Sequence, residues 1–340
     1  MNLANKYRPH KFEDMMEQVV IVEMIKSLCT SSELDNRNFL FIGPAGCGKT
    51  TIARIMADTL NEGKGEPIEI DAASHGSIDS VRDIVDQAKQ YPVGINYKVF
   101  IIDEVHSLSN AAWQVMLKTL EESPAKSVFV LCTTNPEKIP ATILSRVQVF
   151  HLSKISLQGI DKRLHYVLDS EIAEGRNITY EDNAVNFIAK LANGGMRDAL
   201  TLLDKALAYN NAITLENISQ ALNLPNYNDY FDLLQAYAKK DNEKITQIVD
   251  TVYNSGVNFI TWFEEFHAFV INVVKYIFLK DIHSTLIPEY YESKISKYGV
   301  QHSVICLRLA NKLLKLNYDL RTTQYLQETA LTYLCSIKEK

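Results

Sequence analysis

The stretch Gly43-Pro44-Ala45-Gly46-Cys47-Gly48-Lys49-Thr50 constrains this chain more than any other. It follows the apolar run Phe39-Leu40-Phe41-Ile42 and opens the helix-like Thr51-Ile52-Ala53-Arg54-Ile55-Met56-Ala57, so G-x-x-x-x-G-K-T stands between a strand and a helix, the context a P-loop requires. Gly43, Gly46 and Gly48 let the backbone turn its N–H groups inward as an anion nest, where side chains would block a phosphate. The helix N-terminus adds partial positive charge. Lys49 has the reach for β- and γ-phosphates, and the Thr50 hydroxyl suits Mg²⁺. Residues Gly43, Pro44, Ala45, Gly46, Cys47, Gly48, Lys49, Thr50 and Thr51 are therefore the candidate nucleotide contacts.

A second stretch answers the first. Lys98-Val99-Phe100-Ile101-Ile102-Asp103-Glu104 is a β-branched apolar run ending in two acids, as expected of a buried parallel strand that delivers carboxylates at its C-terminal edge. Asp103 is the candidate for the magnesium shell, with Thr50. Glu104 is the candidate to orient or deprotonate an attacking water. Alone, the pair would read as an ordinary strand end with solvated acids. Beside the glycine-rich loop it reads as a ligand site at the open edge of an α/β sheet.

The 340 residues suggest two or three domains, and 46% hydrophobic residues are ample for packed cores. Residues 1–8 are polar, unlike a secretory signal, and no apolar run approaches bilayer length, which points to a soluble, cytoplasmic protein without a membrane partner. Cys29, Cys47, Cys132, Cys306 and Cys335 lie far apart with no C-x-x-C pair, so neither a disulfide framework nor a zinc site is encoded. A net charge of −6 excludes a broadly basic nucleic-acid surface and leaves any DNA contact to a few placed residues.

Along the chain, Tyr7-Arg8-Pro9 can flank an adenine or form a packed turn, and Val19, Val20, Ile21, Val22, Met24, Ile25 and Leu28 make an apolar set wide enough for a buried helix. Residues 67–71 read as a strand, after which Ser77 or Asp79 caps a helix. Ser109 starts the next helix. A buried strand over 127–132 ends at Thr133-Thr134-Asn135, where a polar side chain would lie beside a γ-phosphate, and 147–150 is a last short strand. Five strands with intervening helices make a three-layer α/β domain with a parallel sheet, taken as residues 1–153. From about residue 154 strand signals stop. Helical periodicity, broken by Gly194-Gly195, continues to about 222, and beyond Pro225 and Asn226-Tyr227-Asn228, read as a linker, residues 223–340 read as all helix, including 303–316 and 323–337. The aromatic stripe Phe259, Trp262, Phe263 and Phe266 is either bundle core or a subunit interface.

Taken together these residues resemble the AAA+ clamp-loader ATPases, on the branch of the tau/gamma motor subunits of the bacterial replicative polymerase, DNA polymerase III. The resemblance covers essentially the whole chain. Its carriers are Lys6-Tyr7-Arg8-Pro9, the P-loop, Glu69-Ile70-Asp71-Ala72-Ala73-Ser74, Ile102-Asp103-Glu104-Val105-His106, Leu117-Lys118-Thr119-Leu120-Glu121-Glu122, Thr133-Thr134-Asn135-Pro136, Ile143-Leu144-Ser145-Arg146 and Gly195-Met196-Arg197-Asp198-Ala199-Leu200, in that order.

The resemblance implies a P-loop AAA+ domain, a helical lid over 154–222 and an all-α collar over 223–340. It implies a Mg²⁺-dependent ATPase that loads a sliding clamp onto primer-template DNA, within a hetero-oligomeric ring, a pentamer, of loader subunits. Arg146 would be an arginine finger acting in trans, Arg197 the second sensor on the chain's own nucleotide, and Thr134 or Asn135 the first sensor. Arg82 and Lys118 are candidate DNA contacts. The family pattern carries a cysteine-ligated zinc module where only Asn61-Glu62-Gly63-Lys64-Gly65 stands here, so no zinc is expected; Val147 replaces the usual cysteine after the finger. A chain stopping after the collar would suit a viral or plasmid replication system. Two other classes compete: a scaffold subunit that offers a finger without turnover, and a branch-migration motor, which would end in a winged helix containing strands.

Overall fold

The computed structural model describes residues 2–30, 38–122, 124, 126–222 and 227–335, and the chain divides into two compact units, Met1–Ile213 and Thr214–Lys340. The first is built on a parallel sheet of β1 (Asn38–Ile42), β2 (Ile68–Asp71), β3 (Lys98–Asp103), β4 (Ser127–Thr133) and β5 (Gln148–His151), in the order β2-β3-β4-β1-β5. Every residue of β1 and β4 is buried, because helices cover both faces; this is why these strands read as unbroken apolar runs rather than alternating ones.

Alternate residues still separate cleanly. Leu40, Phe100, Ile102, Phe129 and Leu131 face the helices Ile78–Lys89 and Asn110–Glu122, meeting Val81, Ile84, Trp113 and Met116. Phe39, Phe41, Ile101, Val128 and Val130 face the helix Lys49–Leu60, meeting Ile52, Ile55 and Met56. Ser77 caps the first of these helices through Ser80 N, and the Ser109 hydroxyl accepts from Ala112 N at the start of the next.

Residues 19–30 do form a helix, Val19–Thr30, but it is not buried all round. Ile25 is fully covered, whereas Val19 and Val20 are 62% and 69% exposed and Met24 is also open to solvent. Consecutive apolar residues circle a helix at about 100° each, and only one side can meet the sheet.

After the sheet come three helices, Leu157–Ala173, Asp182–Leu191 and Met196–Tyr209, packed around Leu164, Val167, Leu168, Ala184, Ile188 and Leu203. Strands also persist past residue 154, against expectation. β6 (Thr179–Tyr180) pairs in parallel with β7 (Ala212–Ile213), ladders too short to leave a periodic signal.

The second unit is helical throughout its described residues. Trp262, Phe266 and Phe269 of the helix Phe259–Leu279 meet the rings of Tyr230 and Phe231, and Phe263 meets Phe259 and Trp262, so the aromatic stripe is the unit's own core. The last helix is Leu326–Leu334, shorter than the 323–337 expected: the Thr323 hydroxyl accepts from Tyr325 N and holds a turn there. Ile337, and Pro225 and Asn226 of the expected linker, lie outside the described residues.

Candidate nucleotide site

The C-terminal ends of all five parallel strands open on one edge of the sheet, and there the loop after β1 forms a wall of a cavity of about 360 Å³. The loop's shape depends on two glycines. Gly46 has φ +70°, and a Cβ there would come within 3.0 Å of Gly195 Cα; Gly48 has φ +104°, with the Met15 methyl 3.0 Å from where its Cβ would stand. Glycine alone tolerates both the left-handed backbone and the close approach. Met196 N donates to Gly46 O at 3.0 Å, so the turn before the helix Met196–Tyr209 is stitched to the loop.

The cavity gathers most of the predicted site. Tyr7, Arg8, Pro9, the loop residues Ala45, Gly46, Cys47, Gly48, Lys49, Thr50 and Thr51, both acids Asp103 and Glu104, and Arg197 all line it. Gly43 and Pro44 do not; their carbonyls instead accept from Lys49 Nζ, each at 2.9 Å. The Thr50 hydroxyl donates to Asp103 Oδ2 at 2.7 Å, which places two hard oxygen atoms side by side between the start of the helix Lys49–Leu60 and the end of β3. Burial, and after it the nearby Arg54 guanidinium, lowers Arg8 from its ordinary value, so an anion in the cavity would relieve an unfavourable concentration of positive charge. Burial pushes the Cys47 and Cys132 thiols up, away from reactive thiolate character.

Glu104 stands at the end of β3 in a left-handed conformation, φ +45°, uncommon for a residue with a Cβ. This turns its side chain toward the end of β4, where the Thr134 hydroxyl donates to Oε2 at 2.9 Å. Asn135 does not join them; its backbone N–H donates to the Thr133 hydroxyl. Arg146 lies away from the cavity lining, paired with Glu121 and donating to Thr142 O at 2.6 Å. Arg82 and Lys118 are also remote from the lining and pair with acids on their own helices, Asp79 and Glu122.

The opposite wall contains residues that sequence reasoning missed: Ala4, Asn5, Met15, Met16, Ile155 and Arg163. None belongs to a motif with its own chemistry, and only tertiary packing brings them here. The N-terminal wall hangs on the helices of 157–209. Leu3 N donates to Asp204 at 2.8 Å, Arg163 donates to Tyr7 O at 2.8 Å, and the buried Glu171 accepts from Lys6 at 2.6 Å, Tyr7 Oη at 2.8 Å and Arg176 at 2.7 Å. Burial alone would raise the Glu171 carboxyl, but hydrogen bonds from Arg176, Lys6 and Tyr7 outweigh it and hold it down to about 2.

A carboxylate depressed in the fold contributes stability that is complete above the unfolded-chain value of about 4.3 and is lost as pH falls toward about 2. The wild-type melting temperature should therefore drop more steeply than that of Glu171→Gln as pH falls through this window. Parallel curves in a thermal titration would remove Glu171 from the acid response.

Among the described residues no group of three or more His, Cys, Asp or Glu is arranged to hold a metal ion, and no helix is long and apolar enough to cross a membrane.

Sheet, loop and helical subdomain define an AAA+ P-loop ATPase core, and the comparisons with known proteins agree. A family described as "DNA polymerase III, delta subunit" matches residues 62–156, and "DNA polymerase III clamp loader subunit, ATPase lid domain" matches residues 159–212. The DNA polymerase III subunit gamma of Buchnera aphidicola subsp. Schizaphis graminum is 32% identical over 92% of this chain and 90% of its own length. Subunit tau of Bacillus subtilis is 40% identical over 62% of this chain, and the match spans 40% of that longer protein. The Holliday junction branch migration motor RuvB of Thermotoga maritima shares the fold, with TM-score 0.53 and 18% identity, over 68% of this chain and 78% of the RuvB chain. The chain belongs to the DNA polymerase III gamma/tau family.

Proposed function

We propose that this chain is an ATP-hydrolysing motor subunit of a sliding-clamp loader. The observation that carries this reading is the convergence of Lys49, Thr50, Asp103, Glu104 and Arg197 on one cavity, a set that a non-hydrolysing scaffold would have no need to keep. The residues also fit the groups such a reaction uses. The loop presents its N–H groups around glycines that leave no Cβ in the way, and the paired oxygens of Thr50 and Asp103 suit Mg²⁺. When bound, Mg²⁺ neutralises charge on the β- and γ-phosphate oxygens.

The chain's own residues then divide the work. Lys49 exchanges the carbonyls of Gly43 and Pro44 for phosphate oxygens, a small side-chain movement. Glu104 orients the attacking water and accepts its proton. Arg197 reaches the phosphates from the lid, so the lid senses what the loop holds. Arg146 completes the site of a neighbouring subunit, whose transferring phosphoryl group it stabilises. Hydrolysis thereby depends on assembly.

An exposed apolar series on the helix Val300–Leu320, made of Val300, Val304, Leu307, Leu314 and Tyr318, supports the collar reading of residues 223–340. Its spacings of three, four and seven residues suit a helical partner such as a neighbouring subunit. The described residues from 227 to 335, directly after the lid, fold into helices, which suits a collar at this position.

ATP turnover by the full chain should rise strongly only when the companion loader subunits, the sliding clamp and primed DNA are all present. Stimulation by DNA with no effect of the clamp would favour a translocating motor, and no turnover under any condition would favour a scaffold.

A further inference from the structure

Glu104 has a histidine for a neighbour. His106, in the short turn Val105–Ser107 after β3, is largely buried, and its Nδ1 lies 3.1 Å from Glu104 Oε2 and 3.1 Å from the Thr133 hydroxyl oxygen. The hydrogen bond of Nδ1 runs to the Thr133 hydroxyl, and since a nitrogen lone pair this close to an ionised carboxylate would be repelled, Nδ1 carries the proton and lends Glu104 Oε2 a favourable charge contact. The Thr133 hydroxyl already accepts from Asn135 N at 3.0 Å, which fixes it at the end of β4 and gives the imidazole a stationary neighbour.

The Thr134 hydroxyl donates to Oε2, and the Nδ1 edge of His106, hydrogen-bonded to Thr133, lies 3.1 Å from the same oxygen. Among the described residues Oε1 has no protein partner, and it is the oxygen left to meet a water. A carboxylate held at one oxygen is restricted about its last torsion, and the left-handed backbone at Glu104 brings that oxygen to the Thr134 hydroxyl and the imidazole edge.

We infer that His106 is a positioning residue for hydrolysis: its imidazole, anchored on Thr133, backs Oε2 of Glu104 while the Thr134 hydroxyl donates to that oxygen, so that Oε1 faces the attacking water. The inference rests on Glu104 acting as the base. It places His106 outside nucleotide binding, since His106 is not among the residues lining the cavity.

The test compares three variants of the full chain, under the assembly conditions in which the wild type turns over ATP. In His106→Asn the amide nitrogen stands where Nδ1 stood, in His106→Gln it stands nearer the position of Nε2, and His106→Leu has no donor. Leu and Gln, which lose the anchor on Thr133 and the contact with Oε2, should lower kcat about 10-fold, with KM and the affinity for a fluorescent ATP analogue unchanged. Asn should recover most of the loss.

Undiminished kcat in His106→Leu would overturn the inference, as would Asn and Gln falling equally. If the leucine variant does not fold, the Asn–Gln comparison decides alone. A wild-type chain that binds ATP without ever turning it over would instead defeat the motor reading, an outcome distinct from any difference among these variants.

Discussion

Lys49→Ala is expected to abolish ATP turnover and to remove the rise in melting temperature that ATP confers on the wild-type chain. Lys49 is almost fully buried, and its ammonium rests on the two carbonyls that open the loop, within reach of any phosphate the loop cradles. Removing one preorganised charge-stabilising group from a water-poor site costs about 10²–10³ in rate, and here the same group also contributes to ground-state binding. Without nucleotide the variant should melt close to the wild type. Thermal shift with and without ATP reads the binding effect, since a ligand that binds only the folded state raises its stability by RT ln(1 + L/Kd), where L is the free ligand concentration. Undiminished turnover would refute the assignment of the loop.

Arg146→Ala should behave differently, leaving ATP binding by the isolated chain nearly intact while slowing assembly-dependent hydrolysis by about 10³–10⁵, the range of arginine fingers in related phosphoryl transfers. The geometry makes such a role inexpensive. Arg146 is held by Glu121 at a partly exposed surface, where an ion pair is worth about 0–1 kcal/mol, so releasing it toward a neighbouring subunit costs little. Equal loss of binding and turnover in the monomer would place Arg146 in its own site.

Where the sequence was legible, local physics was sufficient. Strands buried on both faces announce themselves as unbroken apolar runs, and the β1 loop carries its glycines where the backbone must turn to positive φ. Asp103 and Glu104 were readable because they close such a run. The rest needed contacts between residues distant in sequence. Lys6 and Glu171 are 165 positions apart, and nothing near either predicts the other. Met15 and Met16 lie in a stretch with no periodicity, yet they wall the cavity. The exposure of Val19 and Val20 depends on which side of their helix meets the sheet, and β6 and β7 pair over only two residues each. His106 was visible only as part of a resemblance; its bearing on Glu104 follows from the turn after β3, which local pattern does not reveal.

The attachment of the N-terminal segment to the lid has an experimental consequence. Residues 2–9 carry one wall of the nucleotide cavity, but their long-range polar ties run to Asp204, Glu171, Glu174 and Arg163. The segment therefore belongs mechanically to the helices of 157–209, although it precedes the sheet in the chain. A fluorophore on the exposed Asn2, paired with one on the sheet, would read lid position directly, and an affinity tag fused at this end would load the lid rather than the sheet.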